Sequence, residues 1–176
     1  MRLFVAVNVP AVAPGKDSPA VGGEAPAHLT LKFLGETPED RVGRLQHALE
    51  SVARQFQPFR VELRGVGAFP SPQRPRVVWV GVSEGSGQLV ALAGAVDRGV
   101  HALGFPMEDR PFVPHLTLFR IRTASDHKLA DAWLSGEPNR SFGSCMVQEL
   151  LLKKSDLLPR GAVHSTLARL EFGPSF

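Results

Sequence analysis

The chain has 176 residues, a formal net charge of +3, 43% hydrophobic and 21% charged residues, a soluble globular composition with room for one ordinary core. No Lys/Arg run is dense enough to follow a long polyanion, although a weakly anionic ligand suits the basic balance. The single cysteine, Cys145, excludes an intrachain disulfide and a cysteine-built metal site, and no apolar run approaches a membrane span. Met1 to Val9 is too short, and too soon broken by Pro10, for a signal peptide. The expectation is one domain over 1–176, soluble, intracellular (cytoplasmic) and monomeric, with no membrane partner.

Arg2 to Val9 (RLFVAVNV) is β-branched and apolar and predicts a buried strand. Pro10 to Ala27, rich in Pro, Gly and Ala without periodicity, predicts a loop, and His28 to Leu34 predicts the next strand. Thr37-Pro38-Glu39-Asp40 has the hydroxyl cap, N1 proline and first-turn acids of a helix start. Val42, Leu45, Leu49, Val52 and Phe56 then step by three or four, as one helix face does.

Phe59 to Phe69 and Arg76 to Val82 predict two strands around a Pro-rich turn (Pro70, Pro72, Pro75). Leu89, Leu92, Val96, Val100 and Leu103 mark a second amphipathic helix ending near Gly104. A loop with Pro106, Pro111 and Pro114 leads to a strand from His115, and Asp126 to Leu134 predicts a short helix. Ser144 to Ser155 and Val163 to Phe172 predict a closing hairpin around Pro159-Arg160-Gly161, with Cys145 as a small core residue. This order lacks the regular alternation of a doubly wound parallel sheet and predicts α+β with antiparallel sheets.

The chemistry lies in a repeated tetrapeptide, His28-Leu29-Thr30-Leu31 and His115-Leu116-Thr117-Leu118. In a strand, residues i and i+2 share a face, so each copy sets an imidazole and a hydroxyl opposite two core leucines. An isolated strand histidine is more often a satisfied, partly buried side chain than a catalyst. Doubling the motif about half a chain apart favours two half-units whose histidines face one cleft. There one imidazole protonates a leaving oxygen while the other activates water, and Thr30 and Thr117 bond the non-bridging phosphate oxygens. His164-Ser165-Thr166-Leu167 is a third His-x-Thr stretch with a less similar context; a structural or substrate-edge role is favoured, with a three-histidine cleft left open. His47, His101 and His127 are expected at the surface. No HExxH, His-x-His, P-loop or G-x-S-x-G pattern is present, so no metal and no covalent nucleophile is expected.

With these motifs the chain resembles the 2H phosphoesterase superfamily and, within it, the RNA 2′,3′-cyclic phosphodiesterases, also called 2′-5′ RNA ligases. The resemblance is carried by RLFVAV at the start, HLTLKFLGE (28–36), VGAFPSPQRPRVVWVGV (66–82), RPFVPHLTLFR (110–120) and LLLKKSDLLPRGAVHSTLARLEF near the end. It implies a bilobal α+β fold, two antiparallel sheets with flanking helices related by pseudo-twofold symmetry around a central cleft. It also implies metal-independent, cofactor-free hydrolysis of a 2′,3′-cyclic phosphate to a 2′-phosphate, on RNA 3′ ends or small cyclic nucleotides. His28 is then the proton donor to the departing 3′ oxygen, His115 the proton acceptor that activates water, and Thr30 and Thr117 hold the phosphate. Arg120 matches a family arginine at that phosphate; because it lies five residues after His115, its role requires a strand end or a bulge between them. The Pro10 to Ala27 segment is shorter than the helix usual there, and His164 stands where a tyrosine is common. Competing readings are 2′-5′ ligation of cyclic-phosphate and 5′-hydroxyl ends, and a catalytically silent RNA-end binding module.

Overall fold

The computed structural model describes residues 1–10, 12, 27–136, 139–159 and 161–173. Its elements in chain order are β1 (Arg2–Val9), β2 (Ala27–Glu36), a 3-10 turn (Glu39–Arg41), α1 (Val42–Ala53), β3 (Phe59–Ser71) and β4 (Arg74–Val82). They continue with α2 (Ser86–His101), β5 (His115–Arg120), α3 (Ala124–Ser135), β6 (Ser141–Val147), β7 (Glu149–Leu158) and β8 (Gly161–Glu171). Eight strands form two four-stranded sheets, ordered β2-β1-β7-β8 and β5-β4-β3-β6, and every pairing is antiparallel. The α+β expectation with two antiparallel sheets holds. In each sheet the strand bearing a His-Leu-Thr-Leu motif is an edge strand, and the two motif strands lie beside each other.

The core follows from the periodicities. On β1 the alternate residues Leu3, Val5, Val7 and Val9 are buried, and on α1 and α2 so are Leu45, Leu49, Val52, Leu89, Leu92, Val96 and Val100. These join residues of both sheets in one hydrophobic cluster. The helices α1 and α2 pack on each other, α1 also against β7 and β8, and α2 against β2. The helix α3 lies on β3 and β4, capped by Thr123, whose hydroxyl accepts from Asp126 N–H while the Asp126 carboxylate accepts from Thr123 N–H.

Four sequence expectations need correction. The stretch Ser144 to Ser155 is not one strand of a hairpin: β6 ends at Val147, Gln148 breaks it, and β7 begins at Glu149 in the other sheet. The crossing is held where Phe172 N–H donates to Gln148 C=O at 2.9 Å. No glycine or proline marks the break, and the polar pair Gln148-Glu149 between Val147 and the buried run Leu150-Leu151-Leu152 is its only trace in this stretch. Thr37 does not cap α1; its hydroxyl donates to Gly35 C=O at 3.2 Å and its amide to Met1 C=O at 2.7 Å. A 3-10 turn after Pro38 therefore precedes α1, with no side-chain cap. Phe56 and Leu103 lie beyond the ends of their helices and pack on the core from the connecting turns. Most of the predicted Pro10 to Ala27 loop lies outside the described residues, as does Arg160 of the closing turn. Cys145 is half-buried rather than fully enclosed, and burial pushes its thiol pKa up.

Candidate active site

The two motifs alternate as expected. Leu29 and Leu116 are buried, while His28, Thr30, His115 and Thr117 are half-exposed on the opposite faces. Cross-strand partners share a face, so the ladders show what surrounds each pair. Asn8 opposes His28 and Ala6 opposes Thr30 on β1; Gly81 opposes His115 and Trp79 opposes Thr117 on β4.

Both ladders slip at the same place, one residue after the motif threonine. On β2 the slip makes Leu31 the extra residue, so that Lys32 opposes Val5 and Phe33 opposes Phe4. On β5 Leu118 is the extra residue, so that Phe119 opposes Val78 and Arg120 opposes Val77. Val78 is fully buried, and Val77 lies on the face of Trp79. The bulge therefore returns Arg120 to the face of His115 and Thr117, which strict alternation from His115 forbids. On β2 the equivalent position holds Phe33, an exposed aromatic ring.

His28 is closed in. Its ring lies 5.3 Å from that of Phe4 and 4.8 Å from that of His164, between ring centroids, and His164 in turn packs edge-on against Phe4 at 5.1 Å. Burial, then the charges of His164 and Lys153, push the His28 pKa down to about 4. Burial and Lys153 lower His164 as well. In the free site His28 is therefore neutral at pH 7.

His115 has a different setting. Its Nδ1 lies 2.7 Å from the Val113 carbonyl, which only accepts, so Nδ1 carries the hydrogen and, in the neutral ring, Nε2 holds the lone pair. The ring stands edge-on to Phe69 at 5.1 Å and 6.3 Å from Trp79. Trp79 lies across Gly67, where an added Cβ would come within 2.4 Å of the indole. Glycine there lets the indole approach the β3 backbone and support the imidazole from behind.

A buried ion-pair network ties the two motif strands together. The bulge turns Lys32 inward, where its Nζ meets Asp97 of α2 at 2.7 Å and Glu108 at 3.1 Å, and donates to the Pro106 carbonyl at 2.9 Å. Pro106 and Glu108 belong to the segment that leads into β5. Burial alone would lower the Lys32 pKa, but the bonds to Asp97 and Glu108 outweigh it and hold the pKa raised. Burial alone would raise Asp97, and the bonds from Lys32 and from Glu108 N–H hold it low.

The other predicted histidines stay apart: His47, His101 and His127 are exposed on α1, α2 and α3. Among the described residues no cluster of three or more His, Cys, Asp or Glu side chains is placed to hold a metal ion. No described helix is long and apolar enough to cross a membrane.

The model of the 2′-5′ RNA ligase superfamily matches residues 14–157. The chain belongs to that superfamily. It is 39% identical over 148 residues to the RNA 2′,3′-cyclic phosphodiesterase of Aeropyrum pernix, covering 84% of this chain and 83% of the relative. The protein of that name from Archaeoglobus fulgidus is 38% identical over 182 residues, covering 97% of this chain and all (100%) of the relative. Among solved structures, a protein of Thermus thermophilus superposes with a TM-score of 0.71 at 27% identity, covering 99% of this chain and 100% of that one. Escherichia coli LigT complexed with 3′-AMP superposes with a TM-score of 0.68 at 25% identity, covering 97% of each chain.

Within this superfamily member, the residues that sequence reasoning missed or undervalued gather on the His28 side. His164 shares a sheet face with Thr166 and Lys153, opposing Ser155 where Thr166 opposes Lys153, and it meets the His28 ring. The signal was present in the His-x-Thr spacing at 164–166, which matches both motifs. Lys153 had the weaker signal of a cation directly after the apolar run Leu150-Leu151-Leu152.

Proposed function

We propose that this chain hydrolyses the 2′,3′-cyclic phosphate of RNA ends or small cyclic nucleotides to a 2′-phosphate, with His28 and His115 as the acid–base pair. The observation that carries the reading is the matched placement of the two His-x-Thr pairs on neighbouring edge strands, each followed by a bulge at the same step. Relatives of 39% and 38% identity named RNA 2′,3′-cyclic phosphodiesterase support it. We further propose that residues 1–176 act as one domain of two lobes, since core residues of both sheets share one cluster.

In this mechanism His115 Nε2 takes the proton from a water that attacks phosphorus. The bond to Val113 suits that role, because it places the lone pair of the neutral ring on Nε2. The phosphorus–O3′ bond breaks, and His28 gives its proton to the departing 3′ oxygen. A neutral His28 must first gain that proton, and the phosphodiester anion supplies what the free site lacks: a negative charge beside the ring, opposing the effects of Lys153 and His164. Thr30 and Thr117 donate to the non-bridging oxygens, and Arg120 places its charge on the same face as Thr117. No metal or cofactor takes part in this reading.

The test is hydrolysis of an oligonucleotide ending in a 2′,3′-cyclic phosphate by the wild type, His28→Ala and His115→Ala, with and without EDTA. A 2′-phosphate product, made equally in EDTA and lost in both variants, is the expected result. Activity lost in EDTA and restored by a divalent ion, or kept by both variants, contradicts it. Ligation of 2′,3′-cyclic and 5′-hydroxyl ends would use the same groups and is the second reading, favoured by the superfamily's description; an end-joining assay separates the two. A silent RNA-end binding module predicts no turnover in any of these assays.

A further inference from the structure

The His28 side of the site holds a cation for which the proposed chemistry has no use. Lys153 is half-buried on β7, opposite Phe4 on one side and Thr166 on the other. Its Nζ bonds the Thr166 hydroxyl at 3.0 Å, and among the described residues no carboxylate lies within ion-pair distance of it. The neighbouring cations differ: Lys154 pairs with Asp156 at 3.4 Å and Arg169 with Glu149 at 2.6 Å. Burial, with the charge of Arg169, lowers the Lys153 pKa. A partly desolvated cation with no carboxylate beside it is stabilised when an anion joins it.

Lys153 starts from a strand set back from the reacting phosphate, and the His164 ring, 4.8 Å from that of His28, bridges the two positions. The reacting group is expected between the edge strands β2 and β5, whereas β7 lies two strand spacings, about 10 Å, inward of β2. Phe4 stands on the strand between them and touches both the His28 and His164 rings. His164, exposed on β8 and on the same face as Thr166, extends the basic surface away from β5. We infer that Lys153, held by Thr166, and His164 form a second phosphate subsite, which takes the 3′-5′ phosphodiester preceding the terminal nucleotide of an RNA chain. The inference rests on the function proposed above, and makes a chain of at least two nucleotides the preferred substrate over a mononucleotide.

The test compares a dinucleotide ending in a 2′,3′-cyclic phosphate with a nucleoside 2′,3′-cyclic phosphate, which has no second phosphate. In the wild type the kcat/KM ratio favours the dinucleotide. In Lys153→Met that ratio falls about tenfold, the scale of one charge-assisted hydrogen bond, through KM. Lys153→Arg keeps most of the ratio, and Thr166→Val and His164→Ala each lower it in part. Because Lys153 also presses on the His28 pKa, any effect on the chemistry falls on both substrates and cancels in the ratio. An equal loss on both substrates would reassign Lys153 to the reacting phosphate, and a ratio near one in the wild type would remove the subsite; either overturns the inference while the cyclic phosphodiesterase reading stands. A wild type that turns over neither substrate sinks both.

Discussion

The strands β2 and β5 carry the same tetrapeptide, occupy the same edge of their sheets and bulge after the same threonine, yet they make different sites of it. On β5 the imidazole has its tautomer set by a backbone carbonyl, and the bulge delivers Arg120 to its face. On β2 the imidazole is walled by Phe4 and His164, burial and then His164 and Lys153 lower its pKa, and the bulge delivers Phe33 to the face and Lys32 to the core. A short motif fixes which groups face the reaction. The surroundings of each imidazole then differ: a carbonyl two residues away sets the tautomer of His115, while burial among side chains of distant strands lowers the pKa of His28.

The largest effect to expect from this asymmetry lies in the leaving group. Both His→Ala variants should lose at least about a hundredfold in kcat on a cyclic phosphate, the usual range for general acid–base groups. On bis(4-nitrophenyl) phosphate, whose leaving group needs no proton, His28→Ala should recover most of that loss and His115→Ala should not. Recovery by His115→Ala instead would exchange the two roles.

The next comparison concerns the inward position created by each bulge, Lys32 on β2 and Phe119 on β5. Lys32→Met should destabilise the fold by about 3–5 kcal/mol, because it leaves the Asp97 carboxylate buried and uncompensated. A double change, Lys32→Met with Asp97→Leu, should recover much of that loss in urea denaturation; no recovery would mean that the network has a role beyond the charge pair. Glu108, more than half exposed, should be replaceable by Gln at little cost.

Arg120→Gln should reduce kcat/KM by about tenfold or more, consistent with losing one charge-assisted contact to phosphate. Phe33→Leu, at the matching position of the other strand, should change it less. Equal effects would mean that the bulge on β5 does not bring Arg120 to the phosphate.

A further effect is on stability against pH. The folded pKa of His28, about 4, lies below its unfolded value near 6.5, and that of His164 is lowered in the same direction. The unfolded chain therefore binds more protons in that window, so stability is fully present above about pH 6.5 and is lost as pH falls towards 4. Urea midpoints measured across the window should show that slope, and His28→Asn should flatten it. Lys153→Met should make the slope shallower by raising the His28 pKa. A wild-type midpoint that is flat over the window contradicts the depressed pKa.

Much of this was legible in the residues. The strand at Arg2–Val9 appears with the expected bounds, and Leu29, Leu31 and Leu116 of the two motifs are buried as expected. The apolar steps of α1 and α2 mark their buried faces up to the helix ends. What was hidden depends on pairing between distant segments. The break at Gln148 separates two strands that only their pairing assigns to different sheets. The bulges at Leu31 and Leu118 are slips against β1 and β4, so the inward turn of Lys32 and the outward turn of Arg120 cannot be counted from β2 or β5 alone. His164 meets His28 across 136 positions of sequence (164 − 28) because β7 and β8 close the sheet that β1 and β2 begin. Thr37 had the chemistry of a cap, but Gly35 and Met1 claimed its polar groups first.

The most direct measurement is a crystal structure of the chain with uridine and vanadate, a mimic of the five-coordinate phosphorus. The vanadium should lie between the edge strands with one apical oxygen in hydrogen-bond reach of His28 and the other in reach of His115, and with equatorial oxygens on Thr30 and Thr117. Vanadate bound against one lobe alone, with either imidazole out of reach, would contradict the account.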